Sequence, residues 1–312
     1  MSVTGFSPSL AQTFVAPYER AALETLAYSD IFEYPLTLDE LLRYLPLPSQ
    51  RDELATQLSA IRSIVYDKAS GYYHLNGRKE IIAIRESRQS ASLASFKRAL
   101  KYGRIMGHLP FVRMVSMTGS LAVLNLSKNA DMDFMLITTP RRLWVARAFA
   151  VTFGRLMRLT GDRICVNLLV SENALEWTRH DLYSAREMGQ MIPIVGASVY
   201  RRLRDLNPWV ESFLPNAVSA PEHSPKNPGE TGSRLQKLLE FLLPKKLGNW
   251  LDGLLMNIQL RKISRKYGRG MESNFTVEIC QGNFHNHRTW ADEFFHARLV
   301  SLGLNPEEVA EK

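Results

Sequence analysis

Two stretches constrain this chain more than any other: Val115-Ser116-Met117-Thr118-Gly119-Ser120 and Ala130-Asp131-Met132-Asp133-Phe134-Met135-Leu136-Ile137. An apolar run ends in a small-residue turn; after ten intervening residues a second apolar run opens with two acids spaced i, i+2. Residues two apart on a strand project from the same face, so Asp131 and Asp133 are expected side by side. Paired carboxylates repel unless a cation lies between them. Mg²⁺ favours a few carboxylates completed by phosphate oxygens, which makes the pair a candidate for holding Mg²⁺ together with a nucleoside triphosphate.

The surrounding sequence reads as an α+β chain in several parts. In residues 18–80, Tyr18 to Ile31 is helical, and Thr37-Leu38-Asp39-Glu40 forms a capping box that opens a second helix. Ser49-Gln50-Arg51-Asp52 caps a third helix running to about Arg62, and Ile64–Lys68 with Tyr72–Leu75 predicts a β-hairpin. Three helices and a hairpin suggest a winged-helix domain. Residues 81–216 begin with a helix to about His108. Strands at Phe111–Thr118, Met132–Thr138 and Ile164–Val170 follow, with helices at Pro140–Leu159 and Asp181–Ile192. This alternation predicts a mixed sheet covered by helices. In Pro140–Leu159 the stripe Leu143, Ala146, Ala150, Phe153 and Met157 faces the core, with Arg147, Arg155 and Arg158 opposite. Pro140 suits the first helical turn. Residues 217–234, rich in Pro, Ser and Gly, read as a linker or exposed loop. Residues 235–312 read as a helical C-terminal region, interrupted near Pro244.

Two cysteines, Cys165 and Cys280, cannot build a disulfide framework and have no zinc-site spacing. Together with an uncharged Met1–Pro17 segment unlike a signal peptide, they fit a cytoplasmic setting. No charge-free apolar stretch is long enough to span a membrane. The basic segment ending Arg261-Lys262-Ile263-Ser264-Arg265-Lys266 is expected to pack on its own protein, not on a membrane. The net charge of +8 is unevenly spread: 7 Lys/Arg against 10 Asp/Glu in 18–80, 19 against 10 in 81–216, and 13 against 11 in 217–312. Positive charge therefore collects in the segment holding Asp131 and Asp133, where it can attract a polyphosphate. The net −3 of the first part disfavours a DNA-binding regulator, since phosphate neutralisation supplies most non-specific affinity. A packing or homodimerisation role is expected there instead.

Gly119-Ser120, ten residues, then Asp131-Met132-Asp133 between apolar flanks resembles the signature of the polymerase-β-type nucleotidyltransferase superfamily. The chain is similar in particular to small bacterial nucleotidyltransferase-domain proteins with an N-terminal winged helix. The wider resemblance runs through Ala27–Thr37, Asp181–Glu187, Asn207–Val210 and Phe213–Asn216. It implies a Mg²⁺-dependent enzyme that moves a nucleoside monophosphate from an NTP, with ATP the expected one, to a hydroxyl of an unidentified acceptor. Asp131 and Asp133 would hold the metal. Gly119 would permit close backbone approach, and Ser120 would bind the triphosphate with Lys128 nearby; Arg141 and Arg142 are further sequence neighbours.

One departure bears on catalysis. Members of the superfamily usually carry a third carboxylate on the following strand, here Arg163-Ile164-Cys165-Val166-Asn167-Leu168-Leu169-Val170. Alternation puts Ile164, Val166, Leu168 and Val170 on one face and Cys165, Asn167 and Leu169 on the other. Asn167 is the positional match, and an amide cannot accept a proton at neutral pH. Either Glu172 or Glu187 supplies the base, or the chain is a degenerate nucleotide-binding or regulatory protein. His285-Asn286-His287 lacks acidic or cysteine partners at ligand spacing and reads as structural, while Asp162 and Asp181 read as caps or structural acids. The chain has no P-loop, nucleophile elbow or dinucleotide-binding glycine motif.

Overall fold

The structure, a computed structural model, describes residues 16–128, 130–267, 272–283 and 286–307. It is a mixed α+β chain. Helices α1 (Pro17–Asp30), α2 (Leu38–Tyr44) and α3 (Arg51–Leu58) precede an antiparallel hairpin of β1 (Ile64–Asp67) and β2 (Tyr72–Leu75). The capping box forms: Thr37 Oγ1 accepts from the Glu40 amide at 3.2 Å, and Glu40 accepts from the Thr37 amide at 2.8 Å. Helix α3 starts within the expected Ser49–Asp52 stretch, with Gln50 at its N-cap and no side-chain cap bond, and ends at Leu58, short of Arg62. Arg85, on α4 (Glu80–Met106), anchors this first unit. Its guanidinium lies between the Tyr34 and Tyr72 rings, 4.1 and 4.2 Å from their centroids, and pairs with Glu40 at 2.7 Å.

After α4 come β3 (Val112–Met117), the short helix α5 (Gly119–Ala122), β4 (Met132–Thr138), α6 (Leu143–Met157) and β5 (Ile164–Ser171). Next are α7 (Leu182–Gln190), β6 (Ile192–Val195), α8 (Ala197–Asp205) and α9 (Val210–Phe213). The order is completed by α10 (Arg234–Phe241), α11 (Lys245–Tyr267), β7 (Asn274–Phe275), β8 (Ile279–Gln281) and α12 (His287–Ser301). Six strands form one sheet in the order β6-β3-β4-β5-β8-β7, antiparallel except for the parallel pair β4–β5. The region beyond 235 is thus not wholly helical: it adds two short strands to the sheet edge.

Alternation along β4 divides the core. Met132, Phe134 and Leu136 pack with Trp144, Ala146 and Ala150 of α6 and with Tyr102 and Met106 of α4. Met135 and Ile137, on the other face, pack with Ala185, Met188 and Leu203 of α7 and α8. Helix α6 begins at Leu143, so Pro140 lies in the preceding turn and not in its first turn. Helix α11 covers α6 on a second side, which is why Arg147 does not lie on a solvated face as the amphipathic pattern suggested. Its guanidinium donates to Gln259 at 2.6 Å. Helix α12 turns back onto the first unit, where Phe295, Leu299 and Leu304 share a core with Leu23, Leu26 and Leu41. Buried Asp30 ties the two together by pairing with Arg78 at 2.7 Å and Arg298 at 2.8 Å.

Candidate active site

The strand ends and the turn between them bring the two acids to the mouth of a cavity of about 490 Å³. The Thr118 amide donates to the Asp133 carbonyl at 3.0 Å, closing β3 onto β4 where the chain leaves the sheet. Gly119 then takes φ +64, and a Cβ there would meet Asp133 Oδ2 at 2.7 Å. Only glycine meets both the left-handed backbone and the close approach. Asp131, Asp133 and Asn167 all line the cavity, with Glu187 from α7 opposite them. Helix α7 is fixed there at its start, where Asp181 accepts the Ser184 amide at 2.7 Å and also binds Arg288.

The strand facing Asp133 does not alternate as the sequence suggests. Asp133 pairs with Cys165 and Phe134 with Val166, but Met135 pairs with Leu168, leaving Asn167 as an extra residue in a bulge. Beyond the bulge the faces exchange. Leu168 and Val170 pack with Met135 and Ile137, while Leu169 joins Ile164 and Val166 on the α6 side. The residue directly across from Asp133 is therefore Cys165, and both line the cavity. Asn167 still reaches the cavity, where its Oδ1 is buried with no hydrogen-bond partner. Thr118 Oγ1 is buried and unpartnered at the same cavity. Such orphaned polar atoms in a pocket mark where a ligand or water is received.

Electrostatics set the acids apart from surface carboxylates. Burial, reinforced by the neighbouring Glu187 and Asp131 charges, raises the Asp133 pKa to about 7. Burial likewise raises Glu187 to about 7, against the opposing pull of Arg288 and a hydrogen bond from Gln190. The Cys165 thiol is pushed up to about 12 by burial and by the Asp133 and Asp131 charges. Asp131 pairs with Arg163 at 2.7 Å. Arg147, Arg163 and Arg288 give the cavity three cations, and Trp177, Tyr183, Tyr267 and Phe275 give it aromatic walls. Among the described residues no group of three or more His, Cys, Asp or Glu is arranged to hold a metal. Two carboxylates suffice for Mg²⁺ completed by phosphate oxygens and water, so the donor set fits a phosphate-borne Mg²⁺ rather than an all-protein cage.

Several expected residues lie elsewhere. Ser120 faces a separate cleft with Asp30, Arg88 and Trp290, and exposed Lys128 borders a groove between α4 and Gly161–Arg163. Neither joins the cavity of the two acids. Buried Arg142 donates to Asn249 at 2.6 Å and is not poised for phosphate. Glu172 lies 3.9 Å from Arg202, outside the cavity, which leaves Glu187 as the acid beside Asp133. Asp162 is structural, accepting from the Tyr102 hydroxyl at 2.5 Å and Arg98 at 3.0 Å. His285 lies outside the described residues, and His287 opens α12 at the cavity rim. Arg147, Cys165 and Thr118 carried no motif that marks them. Only the register of β4 against β5 singles out Cys165. No family model, no curated protein and no solved structure matches the chain.

Proposed function

We propose that this chain is a Mg²⁺-dependent nucleotidyltransferase that passes a nucleoside monophosphate from an NTP, ATP first among them, to an acceptor hydroxyl. The observation that carries the reading is the grouping of Asp131 and Asp133 with Glu187 in one cavity, the latter two held near neutrality. Three helices with a hairpin, followed by a sheet that presents two acids beside a glycine turn, support the winged-helix and nucleotidyltransferase-type assignment of the two parts. Asp131 and Asp133 would hold the metal, which supplies charge neutralisation to the triphosphate. Arg147 and Arg163 line the same space and suit phosphate oxygens, and the Thr118 hydroxyl and Asn167 amide offer unused hydrogen-bonding capacity. Glu187 is the candidate base: a carboxylate near pKa 7 can take a proton at physiological pH. In the step it would serve, the acceptor oxygen bonds to the α-phosphorus and the bond to the bridging oxygen breaks. Pyrophosphate leaves with that electron pair, and the acceptor proton passes to Glu187.

A second reading, a nucleotide-binding protein without turnover, is favoured by one feature. The position across from Asp133 is Cys165, a protonated thiol, where an active enzyme would place a third carboxylate. Thermal shift with each NTP and Mg²⁺, followed by transfer from α-labelled nucleotide to candidate acceptors, tests both. A Mg²⁺-dependent shift lost in Asp133→Asn is expected, and its absence in the wild type refutes both readings. Nucleotide binding without transfer, converted to transfer by Cys165→Asp but not by Asn167→Asp, supports the second.

A further inference from the structure

Helices α10 and α11 present apolar side chains on two sides. Inward, Leu251, Leu255, Met256 and Leu260 of α11 pack against the main core, beside contacts that are polar or small. Gln236 donates to the Leu109 and Val112 carbonyls, and Glu240 pairs with Arg113 at 2.8 Å. Gly248 lies so close under the Arg142 guanidinium that a Cβ would meet it at 2.5 Å, and Asp252 accepts the Trp144 and Val145 amides. Large apolar side chains also point outward: Leu238 and Phe241 on α10, Leu242 just after it, and Leu247, Trp250 and Leu254 at i, i+3, i+7 on α11. Phe241 is 82%, Leu242 66% and Trp250 63% exposed. Clustered exposure of this kind marks an interaction surface. Packing on β3 and on α6 accounts for the inner faces of these helices and leaves the outer ones unexplained.

Charge decides what covers them. Between Arg234 and Tyr267 there are eight Lys and Arg, all exposed, including the pairs Lys245-Lys246, Arg261-Lys262 and Arg265-Lys266. The only acids there, Glu240 and Asp252, are engaged on the inner face. A second copy meeting this surface about a two-fold axis would set a uniformly cationic patch against itself. A nucleic acid would satisfy the cations and stack on Trp250, but not cover Leu238, Leu242, Leu247 and Leu254. An anionic lipid interface satisfies both at once, since headgroups take the Lys and Arg while Trp, Phe and Leu enter the acyl boundary. We propose, against the sequence expectation that the basic segment Arg261–Lys266 packs on its own protein and not on a membrane, that α10 and α11 form an in-plane platform that seats the protein on an anionic lipid surface. No helix among the described residues is long and apolar enough to cross a membrane, so the contact is peripheral.

The full chain is sedimented with vesicles of phosphatidylcholine alone and of phosphatidylcholine mixed equally with phosphatidylglycerol, without nucleotide, so the outcome is independent of the proposed activity. Binding to the mixed vesicles only, weakened by salt, is expected. Lys245→Gln with Lys246→Gln should lower affinity about 30-fold, at about fivefold per cation near the surface. Leu242→Ser with Trp250→Ser should abolish binding with the circular dichroism spectrum unchanged; should that variant misfold, the solvated lysine pair carries the test. Absence of vesicle binding, equal binding to neutral vesicles, a dimer dissociated by the Ser variant, or a shift of nucleic acid without vesicle binding each overturns the proposal.

Discussion

Asp133→Asn separates what the site costs the fold from what it does. The Asp133 carboxyl, ordinarily at 3.8, is held at about 7 in the folded chain. Between those values the folded chain keeps a proton that the unfolded chain has released. Stability from this group is therefore full below about pH 4 and falls as pH rises, until it is lost above about pH 7. A gap of about three units, at about 1.4 kcal/mol each, bounds the loss at about 4 kcal/mol. Glu187 titrates in the same range and shares the effect, so about 2–4 kcal/mol is expected. Asparagine carries no charge at any of these pH values and escapes the penalty. Urea unfolding of metal-free wild type and variant at about pH 4.5 and about pH 8 reads this directly, with the gain concentrated at the higher pH. The same variant should lose its Mg²⁺-dependent response to nucleotide, which in the wild type should strengthen as pH rises through 7 and Asp133 ionises. A variant no more stable than wild type at the higher pH, or one equally improved at both, refutes the desolvated, charge-coupled picture of the site.

Gly119→Ala should cost about 1–2 kcal/mol of stability for its left-handed backbone. Because the new methyl displaces Asp133 Oδ2, it should weaken Mg²⁺-dependent nucleotide binding at least as strongly. A lowered melting temperature with unchanged binding refutes the close-approach argument. Arg85→Ala should destabilise the chain by about 3–5 kcal/mol, since Glu40 is left without its partner and two tyrosine rings lose their cation. Adding Glu40→Gln should recover part of that, as urea midpoints of the single and double variants would show.

The strands around Gly119 and Asp131 were legible because their apolar runs are bounded by turn chemistry, and β4 spans Met132–Thr138 as its pattern indicates. The Thr37/Glu40 box was legible for a similar reason: the interacting residues are three apart. What was not legible depends on partners distant in the chain. The β5 bulge carries no Gly or Pro to announce it, and its extra residue, Asn167, exchanges the faces of Leu168, Leu169 and Val170; alternation put Cys165 and Asn167 on one face, and only the register between the two strands sets Cys165 across from Asp133. Arg147 was assigned to solvent because its helix is amphipathic by its own sequence, whereas its real neighbour, Gln259, lies more than a hundred residues onward. Strands of two and three residues at Asn274 and Ile279 fall below the length at which alternation can be read.

The return of α12 to the first unit has a consequence for synthesis. Residues 16–80 leave the ribosome roughly 200 residues before Phe295 and Leu299 do, which at ordinary elongation rates is a wait of about 10–40 s. Throughout that interval Leu23, Leu26 and Leu41 lack the side chains that complete their core, and Asp30 has Arg78 but not Arg298. A unit made well before α12 is thus among the last to be finished, and a nascent chain halted before α12 presents an open apolar face to the chaperones around it.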